Sequence, residues 1–277
     1  MRLGSPLPHT WDSAEGWVAA LRDGGFRTAF WPLGDGAGDD EIAAYADAAA
    51  AADIVIAEVG AWSNPISPDD ATRAAAVERS KRQLALADRV GARCCVNLAG
   101  TRSQTWDGPH PDNLSADTFA LIVDTVRDII DAVQPRRTFY TLEPMPWSLP
   151  DSPDSYLALL RAVDRERLGV HLDPVNMINT PAAFYDNAGF LRECFAKLAP
   201  HVRSCHAKDI ALGHELTVHL TEVRPGLGGL DFRVLLTELD RLDPDTPILV
   251  EHLPSDAEYA AAVAHIRDVA RELGLAT

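Results

Sequence analysis

The chain is poor in the features that announce several large protein classes. Its 277 residues hold four cysteines, Cys94, Cys95, Cys194 and Cys205, and no two of them form a CxxC pair. A disulfide framework or a thiolate zinc site is therefore not expected. Small buried thiols in a reducing compartment are. No apolar run reaches the ~18 residues of a membrane span. The start, MRLGSPLPHTWDS, has no basic region followed by an apolar stretch, so a signal peptide is not expected and the expected location is the cytoplasm. Basic residues are outnumbered 25 to 41, for a net charge of −16. Such a surface repels phosphate backbones and acidic membranes, which weighs against nucleic-acid or membrane partners. The glycine-rich stretch Gly34-Asp-Gly-Ala-Gly misses the GxGxxG spacing of a dinucleotide fold.

What is present is a strict alternation of apolar β-rich runs and longer amphipathic segments. The runs are Arg2–Gly4, Arg27–Trp31, Asp53–Val59, Arg93–Leu98, Thr138–Leu142, Leu168–Leu172, Val202–Cys205 and Ile248–Val250. Helices are expected over Ser13–Asp23, Asp40–Ala51, Pro68–Val90, Ser115–Val133, Ser152–Val163, Pro181–Leu198, Leu230–Leu239 and Ala257–Leu273. Eight strand–helix pairs in one chain of this length imply an α/β protein, a (β/α)8 TIM barrel forming one domain over residues 1–277. Pro68 is expected at the first helical position, with acids behind it. Two loops are long, Ala99–Leu114 and Ala207–Gly229. The second, which holds LTVHLTEV, can form a short hairpin with a glycine-rich exit, Gly226-Leu-Gly-Gly, whose N–H groups suit an anion.

Four ligand-type residues end four successive runs: Glu143, Asp173, His206 and Glu251. They are spaced 30, 33 and 45 residues apart, about one βα unit per step. In a parallel barrel the strand C-termini share one rim, which carries the active site. Three carboxylates and one imidazole suit a hard or borderline cation: Mn²⁺ first, with Mg²⁺ or Co²⁺ as alternatives. Such a cation polarises a carbonyl and stabilises the enediolate left when a neighbouring C–H is deprotonated. Glu143 or Glu251 can be the base, because a ligand carboxylate keeps a second oxygen for protons.

Around these four lie further candidates. Lys208, two residues past His206, shares its strand face and suits a substrate-binding or basic role, or a salt bridge to a rim carboxylate. His171 precedes Asp173 by two and faces inward, either orienting a ligand carboxylate or filling the barrel. Asn176 and Arg224 are candidates for substrate oxygens, and His110 for a proton shuttle. Trp31, Trp62, Trp106 and Trp147 all follow strands on the active rim and suggest an apolar-walled pocket. Cys205, next to His206 on a strand, points away from the metal.

The stretches Leu142-Glu143-Pro144, His171-Leu172-Asp173, His206-Ala207-Lys208-Asp209, Glu222-Val-Arg-Pro-Gly-Leu-Gly and Leu249-Val250-Glu251-His252 resemble the xylose-isomerase-like sugar isomerase/epimerase superfamily. The resemblance implies one divalent metal on Glu143, Asp173, His206 and Glu251, with the two glutamates as the acid/base pair. It implies a small sugar-derived substrate, and leaves a homo-oligomer or a small second subunit open. Leu149, Asn176 and Met145 depart from the epimerase and isomerase patterns. The HxKD motif instead resembles inosose dehydratases and related lyases. Deglycosidases of 3-keto glycosides, C-glycosides included, also belong to the superfamily. Isomerase or epimerase is the leading expectation, keto-sugar lyase or deglycosidase the alternative, and a non-catalytic sugar-binding barrel the third reading.

Overall fold

The computed structural model describes residues 1–8 and 11–277. In chain order its strands are β1 (Arg2–Gly4), β2 (Thr28–Phe30), β3 (Val55–Gly60), β4 (Cys94–Leu98), β5 (Phe139–Glu143), β6 (Leu168–Leu172), β7 (Val202–Ala207), β8 (Asp209–Leu212), β9 (Leu220–Val223) and β10 (Pro247–Val250). Eight of them form one parallel sheet in the order β1-β10-β7-β6-β5-β4-β3-β2, while β8 and β9 pair as an antiparallel hairpin on the rim. Among the described residues no ladder joins β1 to β2, and the ring closes there by packing. A Cβ on Gly4 would fall 2.8 Å from the Thr28 carbonyl oxygen, so β1 meets β2 only because residue 4 is glycine. The expected TIM barrel is thus the observed one.

The helices are α1 (Ala14–Asp23), α2 (Asp39–Ala51), α3 (Asp70–Val90), α4 (Ala116–Val133), α5 (Pro153–Val163), α6 (Pro174–Met177), α7 (Pro181–Tyr185), α8 (Asn187–Leu198), α9 (Phe232–Asp240) and α10 (Asp256–Leu273). Each long outer helix from α3 on, leaving aside the short α6 and α7, seats an apolar face on the sheet. Leu84, Ile129, Leu159, Leu191, Leu235 and Ile266 are wholly buried there, each contributing roughly 1.5–3 kcal/mol. Among the described residues no helix is long and apolar enough to cross a membrane.

Two local expectations are corrected. Pro68 precedes α3 instead of opening it, because the Asp69 carboxylate accepts the Thr72 N–H at 2.7 Å and sets the start two residues later. The helix expected over Pro181–Leu198 breaks at Asp186, which ends α7 and caps α8 by accepting the Gly189 N–H at 3.2 Å. The short hairpin expected within Ala207–Gly229 is present, its arms Asp209–Leu212 and Leu220–Val223.

Partners in register share a face, which sorts the barrel interior. His206 pairs with Leu249, Ser204 with His171, and Glu58 with Cys94. Register shifts fall at Val170/His171 and Ala29/Phe30, and such bulges re-aim side chains near active rims. The β5–β6 seam is held by a side chain from outside. The buried Tyr156 hydroxyl of α5 donates to the Leu142 carbonyl at 2.6 Å and accepts from Leu142 and His171 N–H groups at 3.1 and 3.3 Å. Tyr156→Phe leaves these backbone groups without the hydroxyl and should cost about 1–3 kcal/mol. Urea unfolding checks this, and an unchanged midpoint would show that the seam does not depend on the hydroxyl.

Candidate metal centre

Chain geometry alone delivers the four ligand-type side chains to one point. Glu143 is the last residue of β5 and His206 lies one before the end of β7. Asp173 follows β6 and caps α6, its Oδ1 accepting the Asn176 N–H at 3.2 Å. Glu251 follows β10 directly. One ligand atom from each lies within 4.8 Å of all the others. From His206 Nδ1 the distances are 2.8 Å to Glu251 Oε1, 3.4 Å to Glu143 Oε1 and 3.8 Å to Asp173 Oδ2.

These contacts lack the alignment of hydrogen bonds. His206 Nδ1, Asp173 Oδ2 and Glu251 Oε1 are all buried and make no well-aligned hydrogen bond among the described residues, the two carboxylate oxygens being held by ion pairs. Buried polar atoms left this way are costly. Three such atoms aimed at one point, with Glu143 beside them, form an oxygen-rich donor set suited to a divalent cation.

Lys208 Nζ already answers part of the negative charge. It stands 2.7 Å from Glu251 Oε1, 2.8 Å from Asp173 Oδ2 and 3.5 Å from Glu143 Oε1. Burial alone would lower its pKa, but Asp173, Glu143 and Glu251 outweigh burial and raise it. Burial would likewise raise Asp173 and Glu251, yet both are lowered, Asp173 chiefly by Lys208 and Glu251 chiefly by His206. His206 is raised well above the ordinary imidazole value, because Glu251 and Glu58 outweigh its desolvation.

A cavity of about 520 Å³ opens above this cluster. Glu143, Glu251, Lys208, Asn176, Trp62, Trp106 and Trp147 line it. The Ala99–Leu114 loop braces that wall. Trp147 Nε1 donates to the Asp107 carbonyl at 2.7 Å, and the buried Asn113 donates to the Trp147 carbonyl at 3.1 Å. Asn176 donates to Glu143 Oε1 at 3.1 Å.

Other candidates fall elsewhere. His171 lies wholly buried beneath the cluster, beside Glu58 rather than beside a ligand carboxylate. Arg224 is not on the cavity wall, since its Nε pairs with Glu258 at 2.9 Å. His110 caps a short turn by accepting the Asp112 N–H at 3.2 Å. Trp31 lines a separate hollow with Trp11 and Trp17. The Gly226–Gly229 turn does not offer the anion site its composition suggests. The Asp209 carboxylate already accepts the N–H groups of Gly226, Gly228 and Leu230, each at 2.9 Å. Cys205 is buried, and its thiol lies 3.3 Å from the His206 carbonyl.

Three neighbours escaped the sequence reading. Glu222 and His252 line the cavity as a pair 3.3 Å apart, which raises the His252 pKa. Glu58 lies under His206. Its signal was a lone carboxylate inside the otherwise apolar strand Val55–Gly60.

Fold and side chains together define a parallel (β/α)8 barrel with a carboxylate–imidazole cluster on its C-terminal rim. The chain belongs to the xylose isomerase-like TIM barrel family, whose model matches residues 18–269. It is similar in structure to a xylose isomerase-like TIM barrel protein from Mycobacterium smegmatis in complex with magnesium (18% identity, 95% of this chain and 89% of that one, TM-score 0.66). It is also similar to 3-keto-D-glucoside 4-epimerase from E. coli (17% identity, 97% and 99%, TM-score 0.68). A third likeness is to endonuclease IV from Thermus thermophilus (14% identity, 98% and 100%, TM-score 0.73). No curated protein matches the chain by sequence.

Lys208→Met removes the ammonium that faces Asp173 and Glu251, and should destabilise metal-free protein by on the order of 3 kcal/mol. A bound cation supplies charge at the same oxygens, so the loss should shrink when Mn²⁺ is added. Urea titrations with chelator and with Mn²⁺ check this, and an equal loss in both would break the proposed electrostatic link.

Proposed function

We propose that this chain is a divalent-metal-dependent sugar isomerase or epimerase that moves a proton on the carbon beside a substrate carbonyl. One observation carries the reading. Asp173 and His206 are wholly buried beneath the cavity, whereas Glu143 and Glu251 line it. Asp173 and His206 anchor, and the two glutamates face the substrate.

Each glutamate turns Oε1 into the cluster, and Glu251 Oε2 faces His252 Nε2 at 3.6 Å. The second oxygens are then the atoms that take and return the proton. Glu143, Asp173, His206 and Glu251 would hold the cation, preferably Mn²⁺ with Mg²⁺ or Co²⁺ as alternatives, which would supply Lewis acidity to the carbonyl. Lys208 donates to developing negative charge on a substrate oxygen. Asn176 holds Glu143 in place, and Trp62, Trp106 and Trp147 give the sugar an apolar wall. The structural likeness to a 3-keto-D-glucoside epimerase supports a small sugar-derived substrate. The net charge of −16 argues against nucleic acid. Four free, buried cysteines accord with action in the cytoplasm.

A second reading, a keto-sugar lyase or 3-keto-glycoside deglycosidase, is favoured by the size of the pocket. The cavity shares Pro146, Trp147, Asn176 and Glu222 with a neighbouring one of about 440 Å³ walled by Ile210, Val218 and Leu220. That provides apolar wall for a group attached to the sugar. Both readings begin with the same proton removal and differ in what leaves.

Metal analysis, with NMR of keto-sugars and 3-keto glycosides in D₂O, tests both. Near-stoichiometric Mn²⁺ with deuterium entering beside the carbonyl is expected, and the product separates epimer from eliminated fragment. Glu251→Gln should slow exchange by roughly 10²–10⁴-fold with the fold intact. Near-wild-type exchange with metal still bound removes Glu251 from the mechanism. No metal after reconstitution overturns the reading in favour of a sugar-binding barrel.

A further inference from the structure

Beneath the cluster lies a carboxylate that the chemistry above does not use. Glu58, on β3, is 2% exposed in the middle of the barrel. Its Oε1 is 3.2 Å from His206 Nε2. Its Oε2 is 3.3 Å from both His171 Nδ1 and the Ser204 hydroxyl, which donates to it. His171 and His206 meet edge to face, with ring centroids 4.0 Å apart. One buried anion thus faces two imidazoles and a hydroxyl. A bare carboxylate here would be prohibitively costly, so these neighbours are what make it tolerable.

The arrangement has a direction. A neutral imidazole carries its proton on one nitrogen, and the hydrogen bond made by one nitrogen decides the role of the other. His206 Nε2 faces Glu58, an acceptor, and Nδ1 faces Glu143, Asp173 and Glu251. We propose that Glu58 is a positioning residue for the metal centre. When a cation takes the place of the Nδ1 proton, Glu58 keeps the remaining proton of His206 on Nε2, so that the Nδ1 lone pair is free for the cation, and through His171 it fixes the tilt of the ring. This rests on the reading that Glu143, Asp173, His206 and Glu251 bind a divalent cation. Partners of this kind orient metal-ligating histidines and raise their basicity. Ser204, which touches the same carboxylate, steadies it without touching the His206 ring nitrogens.

The same three side chains, Glu58, His171 and His206, are also spaced closely enough to hold a cation themselves. The two arrangements differ in stoichiometry and in the state of Nε2. In the positioning arrangement there is one cation per chain and Nε2 keeps its proton.

The experiment is a calorimetric Mn²⁺ titration of wild type, Glu58→Gln and Glu58→Asp, with ¹⁵N-histidine spectra of the Mg²⁺-loaded proteins. Wild type is expected to bind one Mn²⁺ and to show a protonated Nε2 and an unprotonated Nδ1 at His206. Glu58→Gln keeps the shape but removes the anion, and should weaken Mn²⁺ binding by roughly 10–100-fold while blurring that nitrogen pattern. Glu58→Asp keeps the charge but withdraws it by one methylene, and should lose affinity by less. It also serves as the measure if the amide variant does not fold. Wild-type affinity and an unchanged ¹⁵N pattern in the variants overturn the assignment of Glu58 while leaving the metal site standing. Two Mn²⁺ per wild-type chain, falling to one in the variants, also overturn it and make Glu58 a ligand. No Mn²⁺ binding by wild type overturns the underlying metal reading, and this proposal with it.

Discussion

The rim of this barrel is organised around crowded negative charge. Three carboxylates converge on one imidazole, with a ligand atom of each within 4.8 Å of the others. Like charges so close, and largely shielded from water, repel strongly because the surrounding dielectric is low. The fold tolerates them by placing cationic groups among them. Lys208 reaches in from the residue after β7, and His206 rises from within that strand. Neither arrangement is local in sequence. Both follow from parallel strands that all end at the same level.

Side-chain alternation does the rest of the sorting. From Ser204 through His206 to Lys208, every second residue faces the barrel axis, and this run forms a graded column. The hydroxyl lies lowest, against Glu58. The imidazole sits between Glu58 and the three rim carboxylates. The ammonium touches the cavity. The register shift beside His171 brings that ring level with Ser204, so the same buried carboxylate serves both strands. The cavity floor and the buried groups beneath it are therefore consecutive layers of one barrel interior.

Much of this could be read from the chain before any coordinates, for definite reasons. Glu143, Asp173, His206 and Glu251 each close an apolar run, and the barrel rule turns strand ends into neighbours. Lys208 followed from a two-residue step along the same strand. Glu58 did not stand out, because it lies two residues inside its strand rather than at the end. A lone acid among apolar neighbours says that a partner exists without saying which. Arg224 and His110 lie on loops, where no periodicity fixes the direction of a side chain. Arg224 turns to Glu258 on α10, and His110 turns back on its own turn. The split between α7 and α8 depends on a side chain capping a helix rather than continuing it, a competition that composition alone leaves open.

The Asp209 carboxylate has a consequence of a different kind. Its two oxygens together accept the N–H of its own neighbour Ile210 and three more from the glycine-rich turn. The hairpin that carries Glu222 and the turn that leads into α9 are therefore clasped by a single side chain. In mechanical terms they are one panel hung on one pin. The wall of the pocket and the entry to the next helix cannot shift independently, and any opening of that side of the rim has to carry both.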